Sequence, residues 1–389
     1  MKFAIVIPEG APDRPVEELA DRTPLTAART PVLDELARRG RLGTARTIPE
    51  GLPANGEIGL LSILGYDPRQ YAVSRGGLEA LARGVRLGRR DQAFRCNLVT
   101  ITEGVLQDAC GGYIRSAEAA RIVDDLRPAL PDPRLELHTG PSFRQLLVWR
   151  EVGPLSGLRT VAPHVYLGQP IRRHLPRGRE STPLLTFMRR AAEILRDHDV
   201  NVVRYDLGEN PANGVWPWGQ GRLGSVPSFE MRFGLRGAIV AGVDMARGLG
   251  RLIRWEVCEV PGATGLLDTD LSAKGRAAVA ALDSADLVCV HVEAADEAGH
   301  LGHPQEKVRI LEQIDSGIVA PLVQRLERES AWRILVIAGH ATPVRLRTHS
   351  DDPVPFVMAG CDIESSRGEA FDERSAAEGE LHVERAHEL

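Results

Sequence analysis

Three short runs of branched apolar residues constrain the fold of this chain more than any other feature: FAIVI at 3–7, ADLVCVHVE at 285–293 and WRILVIAGH at 332–340. Each is rich in Val and Ile and gives way at once to a polar or Gly-containing turn. That pattern suits strands covered on both faces, as in a parallel sheet. Between them, stretches such as TPVLDELARRG and EKVRILEQIDSGIVAPLVQRLERE repeat apolar residues at intervals of three and four, the signature of amphipathic helices. Strands alternating with helices predict an α/β fold with a mostly parallel sheet flanked by helices.

The middle of the chain has a different texture. LELHTG and FRQLLVWREV alternate apolar and polar residues between turns, as half-exposed antiparallel strands do. A smaller inserted α+β domain is therefore expected at 113–177, within a core formed by 1–112 and 178–389. STPLLTFMRRAAEILRDH resumes a helix behind a Ser-Thr-Pro start signal. The charged stretch after Cys361 reads as a surface hairpin and helix end, and Trp216 and Trp218 read as core packing.

Charge excludes some partners. Lys and Arg number 48 against 53 Asp and Glu, with both signs mixed along the chain and no basic block to follow a phosphate backbone or an anionic membrane. Neither nucleic acid nor membrane is expected as a partner, and oligomeric state is not legible. The five cysteines are scattered without a Cys-x-x-Cys pair, and the N-terminal apolar run is too short for a signal peptide, so a cytoplasmic setting is expected.

The residues able to do chemistry gather near the strand ends. In VCVHVEAADEAGHLGH, Asp296 stands four residues before His300, so one helical turn would put both on one face. A carboxylate with an imidazole suits Mn²⁺ or Zn²⁺, and His349, beyond Thr342 and Pro343, is placed to add a third ligand from another strand end.

Longer stretches carry more. VIPEGAPDRP, LPANGEIGLLSILGYDP, PANGVWPWGQG, VPGATGLLDTD, VEAADEAGHLGH and AGHATPVRLRTHSDDPVP, in this order, resemble the archaeal-type 2,3-bisphosphoglycerate-independent phosphoglycerate mutases of the alkaline phosphatase superfamily. The resemblance covers nearly the whole chain. It implies an alkaline-phosphatase-like core and a two-metal phosphomutase, the glycolytic isomerase that interconverts 2- and 3-phosphoglycerate. By position, Asp296, His300 and His349 match the ligands of one metal and His340 a ligand of the other. The family's first-strand Asp is Glu9 here, its nucleophilic Ser is Gly56, and its strand-end Asp is Gly339. The resemblance also nominates Arg204 and Arg222 for a substrate carboxylate or phosphate and Lys274 for a transferring phosphoryl group, while Val165 replaces an acidic residue.

These substitutions shape the expectation. Phosphoryl transfer through the enzyme needs a hydroxyl activated as an alkoxide. Gly56 offers none. Ser62 is expected to bond back to a carbonyl one turn earlier, and neither it nor Thr47 is expected to replace the nucleophile. One divalent metal per chain follows, Mn or Zn, or two if Glu9 and His340 still bind. The substrate would be 2- or 3-phosphoglycerate or a related small phosphorylated metabolite. The alternative is a degenerate one-metal relative, either a ligand-binding or regulatory protein or a lyase or hydrolase with another substrate.

Overall fold

The N-terminal apolar run forms β1 (Lys2–Pro8), and the computed structural model, which describes residues 1–366 and 368–389, places this strand inside a large sheet. In chain order the further strands are β2 (Arg41–Ala45), β3 (Gln92–Thr102), β4 (Val105–Asp108), β5 (Leu135–His138), β6 (Arg144–Trp149), β7 (Gly214–Gly221), β8 (Gly237–Ala241), β9 (Glu256–Cys258), β10 (Leu287–Val292), β11 (Trp332–Ile337), β12 (Val354–Gly360) and β13 (Leu381–Val383).

Contacts divide the chain into two units, Met1–Ala72 with Ser225–Leu389, and Val73–Gly224. The first holds an eight-stranded sheet of order β13-β2-β12-β11-β1-β10-β8-β9. Five of its seven pairings are parallel, and only those of β12 with β11 and with β2 are antiparallel. The three apolar runs became neighbours: β1 lies between β10 and β11, with Ile7 opposite His291 and Val6 opposite Val336. Val6, Val288, Val290 and Val336 are fully buried in one cluster with helix residues such as Ile314 and Leu322. Because β1, β10 and β11 run parallel, their carboxyl ends meet at one edge of the sheet, the edge where α/β folds hold ligands.

The second unit is wider than the insertion expected at 113–177. Its β3 and β7 lie outside that range, yet β3 pairs antiparallel with β4, β6 and β7, and β5 completes the sheet beside β6. All of β3 but its last two residues, 101 and 102, is buried. Nothing in AFRCNLVT tells a core strand of one sheet from a central strand of another; the pairing partners do. Trp216 and Trp218 are buried in this unit, their indole N–H groups donating to Val161 O and Asn97 Oδ1.

Among the described residues, the tail after Cys361 forms no hairpin. A helix, Glu373–Glu378, packs near β2, and β13 then adds to the sheet edge parallel to β2. Among the described residues, no helix is long and apolar enough to cross a membrane.

Candidate metal centre

Asp296 and His300 owe their pairing to the helix Ala294–Leu301, which starts two residues beyond β10. One turn apart on the same face, they bring His300 Nε2 to 3.4 Å from Asp296 Oδ2. His349 arrives from the turn after β11, where Ser350 N donates to Ala341 O. Its Nε2 lies 3.4 Å from Asp296 Oδ1 and 3.1 Å from His300 Nε2. His340 stacks on His349 with ring centroids 3.8 Å apart, and ligand atoms of Asp296, His340 and His349 can all lie within 4.8 Å of one another. Backbone must come close to allow this. Gly10 has φ +71°, and a Cβ there would stand 2.5 Å from Asp296 Cα. A Cβ at Gly59 would stand 2.7 Å from Gly339 Cα.

Hydrogen bonds fix the imidazole tautomers. His300 Nδ1 lies 3.0 Å from Arg347 O and His349 Nδ1 2.7 Å from Ala54 O. A carbonyl only accepts, so both Nδ1 atoms carry a proton, and the Nε2 of each ring, on the Asp296 side, is the atom that can take a metal once it gives up its own proton. Thr342 Oγ1 donates to Asp296 Oδ1, orienting the carboxylate. Burial alone would raise the Asp296 pKa, but His300 and His349 outweigh it and hold the carboxyl well below its usual range. For His300, burial is likewise outweighed, by Asp296, which lifts the imidazole to about 9. His340 is driven well down, by burial first and by His349 second.

This donor set fits a divalent cation. Bonds of about 2.0–2.1 Å in a tetrahedron put neighbouring ligand atoms roughly 3.3 Å apart, close to the 3.1 to 3.4 Å found among His300, His349 and Asp296. Backbone carbonyls behind the histidines and a hydroxyl behind the aspartate are the outer contacts such sites use.

Glu9 ends β1 beside this cluster, its N–H donating to Val292 O. Its Oε1 is 3.1 Å from His340 Nε2, so the two residues nominated for the other metal are in contact. Gly56 opens the helix Gly56–Ile63 and sits between Ala54, which accepts from His349, and Gly59, which touches Gly339. The position lies on the segment packed against the centre and carries no side chain. Ser62 does not bond back to the helix; its hydroxyl and that of Thr47 are buried without a hydrogen-bond partner among the described residues.

Two of the nominated substrate groups have other work. Arg204 is 2% exposed, and its five donors go to Asn210 O, Glu118, Glu209, Gly111 O and Gly112 O, so it braces the second unit and has no N–H left for a substrate. Lys274 is fully buried in the first unit, its ammonium pointing at His291 O (3.3 Å) and Thr264 O (3.5 Å), and burial lowers it to about 8. Arg222 is exposed in the second unit and donates to Arg89 O. The sequence reading passed over His291, Glu293 and Thr342. A histidine inside an apolar strand, with a glutamate two residues on and so on the same face, was the available signal for the first two.

Residues 37–201 match the family model described as 2,3-bisphosphoglycerate-independent phosphoglycerate mutase. A curated protein of that name from Methanothrix thermoacetophila is 44% identical over 97% of this chain and 96% of its own length. One from Methanosarcina mazei is 41% identical over 100% and 98%. Among solved structures, a Pyrococcus horikoshii protein aligns with a TM-score of 0.79 at 29% identity, covering 100% of this chain and 94% of its own. The cofactor-independent phosphoglycerate mutase of Thermoplasma acidophilum aligns at 0.58 and 29%, covering 99% and 97%. With relatives this similar along its whole length, the chain belongs to the 2,3-bisphosphoglycerate-independent phosphoglycerate mutase family.

Proposed function

We propose that this chain is a divalent-metal protein of that family that acts on 2- or 3-phosphoglycerate or a related small phosphate ester without passing through a phosphoserine at residue 56. The observation that carries the reading is the pair of imidazoles, His300 and His349, whose Nε2 atoms converge on Asp296 while Gly56 stands beside them without a side chain. Mn²⁺ or Zn²⁺ held by Asp296, His300 and His349, with His340 alongside, would supply Lewis-acid polarisation of a phosphoryl oxygen. The chain's own part is to orient these ligands through Ala54 O, Arg347 O and Thr342. Five free cysteines accord with a reducing cytoplasm.

A second reading is favoured by Gly56 and Gly339 together: a hydrolase or lyase in which water or a substrate group replaces the serine, or a binding protein that keeps the pocket without the chemistry. A coupled assay for 2-/3-phosphoglycerate interconversion, run beside a phosphate-release assay on Mn²⁺-loaded protein, decides. Turnover abolished by chelation and restored by Mn²⁺ supports the reading. Neither turnover nor a phosphoglycerate-dependent rise in melting temperature contradicts it.

A further inference from the structure

We infer that Lys307 is a positioning residue for the metal centre: with Asp13 it pins the segment 342–344, which carries the Thr342 hydroxyl that holds Asp296 and lies between the nominated ligands His340 and His349. This rests on the metal-dependent reading above. Lys307 belongs to the helix Pro304–Ile314 and is fully buried. Its ammonium has three N–H groups and faces three acceptors, Asp13 Oδ2 at 2.7 Å, Thr342 O at 3.0 Å and Pro12 O at 3.4 Å. The side chain of Asp13 is 1% exposed, and its two oxygens accept from Val344 N at 3.2 and 3.1 Å. One ion pair therefore grips the chain on both sides of Pro343, which has no N–H of its own by which to be held. Gly299 meets the same carbonyl, for a Cβ there would stand 2.3 Å from Thr342 O and 2.8 Å from Thr342 Cγ2. Gly299 lies between Asp296 and His300 on one helix, so Thr342 is held by Lys307 and packed against the backbone that carries two ligands.

A buried ammonium and carboxylate are a poor device for stability alone. Desolvation consumes most of their attraction, and apolar side chains of the same volume often hold a fold as well. What apolar side chains cannot do is fix two backbone groups, Thr342 O and Val344 N, at hydrogen-bond distance from a rigid helix. The Thr342 hydroxyl donates to Asp296 Oδ1 and lies 3.3 Å from His340 Nδ1, so a displaced Thr342 is felt at two nominated ligands. Asp13 is braced in turn, its N–H donating to Glu373 Oε1 at 2.9 Å. Neither Lys307 nor Asp13 is itself among the nominated ligands, and both act on the centre through Thr342.

Mn²⁺ titrated calorimetrically into chelator-stripped protein tests this on the parent, Lys307→Met, Thr342→Val and the variant with both changes, with circular dichroism showing that each is folded at the temperature used. Lys307→Met keeps the length of the side chain and removes its donors, and Mn²⁺ affinity should fall at least about tenfold. Because Lys307 acts through Thr342, the double variant should bind within about twofold of Thr342→Val alone. A residue that only stabilised the fold would lower the melting temperature and leave the affinity unchanged, or its effect would multiply that of Thr342→Val. Should the unpaired Asp13 unfold Lys307→Met, the same change combined with Asp13→Asn removes both charges, leaves Val344 N an acceptor and takes its place in the comparison. An affinity within about twofold of the parent, or losses that multiply, overturns the inference while the metal-dependent reading stands. A parent that binds no Mn²⁺ overturns both.

Discussion

The Nε2 atoms of His300 and His349 face each other across 3.1 Å while the Nδ1 of each ring donates to a backbone carbonyl. Two lone pairs cannot share that distance without a cation or a proton between them. In the metal-free chain it is a proton, for Asp296 outweighs burial and lifts His300 to about 9. Metal binding must displace it. Mn²⁺ affinity should therefore rise by about tenfold per pH unit between roughly pH 6.5 and 8.5 and flatten above 9. Calorimetric titrations in buffers of different ionisation enthalpy would read the released proton directly.

Thr342 holds the carboxylate of Asp296 through its hydroxyl, which also lies 3.3 Å from His340 Nδ1. Thr342→Val keeps the shape and removes the donor. Metal affinity should fall about 10- to 100-fold, with circular dichroism unchanged. An affinity equal to that of the parent would mean that the hydroxyl does not orient the ligand.

A Cβ built on Gly339 would fall 2.8 Å from Glu9 Oε2, so the two positions share one volume and their substitutions should be strongly coupled. Gly339→Asp alone drives a second carboxylate into the first and should destabilise by about 1–3 kcal/mol. Glu9→Asp withdraws the obstacle, and the double variant should recover at least about 1 kcal/mol relative to the sum of the single effects. Urea unfolding of the four proteins in a double-mutant cycle measures the term.

Glu373 gives a test on a carboxyl that is not one of the nominated metal ligands. It is half-buried, accepts from Thr23 Oγ1 at 2.6 Å and Asp13 N at 2.9 Å, and desolvation of its carboxyl pushes it up to about 7 from 4.5. The folded state therefore binds this proton more tightly than the unfolded one. Its contribution to stability is complete below about pH 4.5 and is lost as the pH rises through 7. Glu373→Gln cannot ionise, so between pH 4.5 and 8 the parent should lose up to roughly 3 kcal/mol relative to this variant in chemical denaturation.

How much of this was legible depended on whether the signal was local. FAIVI, ADLVCVHVE and WRILVIAGH carry their strand character in their own residues, and all three became neighbours in one sheet. Asp296 and His300 were readable as a pair because four residues make one turn. The limits of the second unit were not, since the membership of β3 is decided by partners more than forty residues away in sequence. Arg204 looked like an anion ligand until its five donors were found spent on carbonyls and carboxylates. His291 was hidden by its own strand, where alternation points it at Glu9 instead of into apolar packing. The contact between Glu9 and Gly339 spans 330 residues and exists only in space.

We propose that this centre handles phosphate esters without a phosphorylated residue, because position 56 offers no oxygen. Mn²⁺-loaded protein incubated with 3-phosphoglycerate, quenched in acid and weighed intact by mass spectrometry tests it most directly. The account predicts the mass of the unmodified chain at every time point. A phosphate adduct that builds up during turnover and maps to Ser62 or Thr47, whose buried hydroxyls have no hydrogen-bond partner among the described residues, would contradict it.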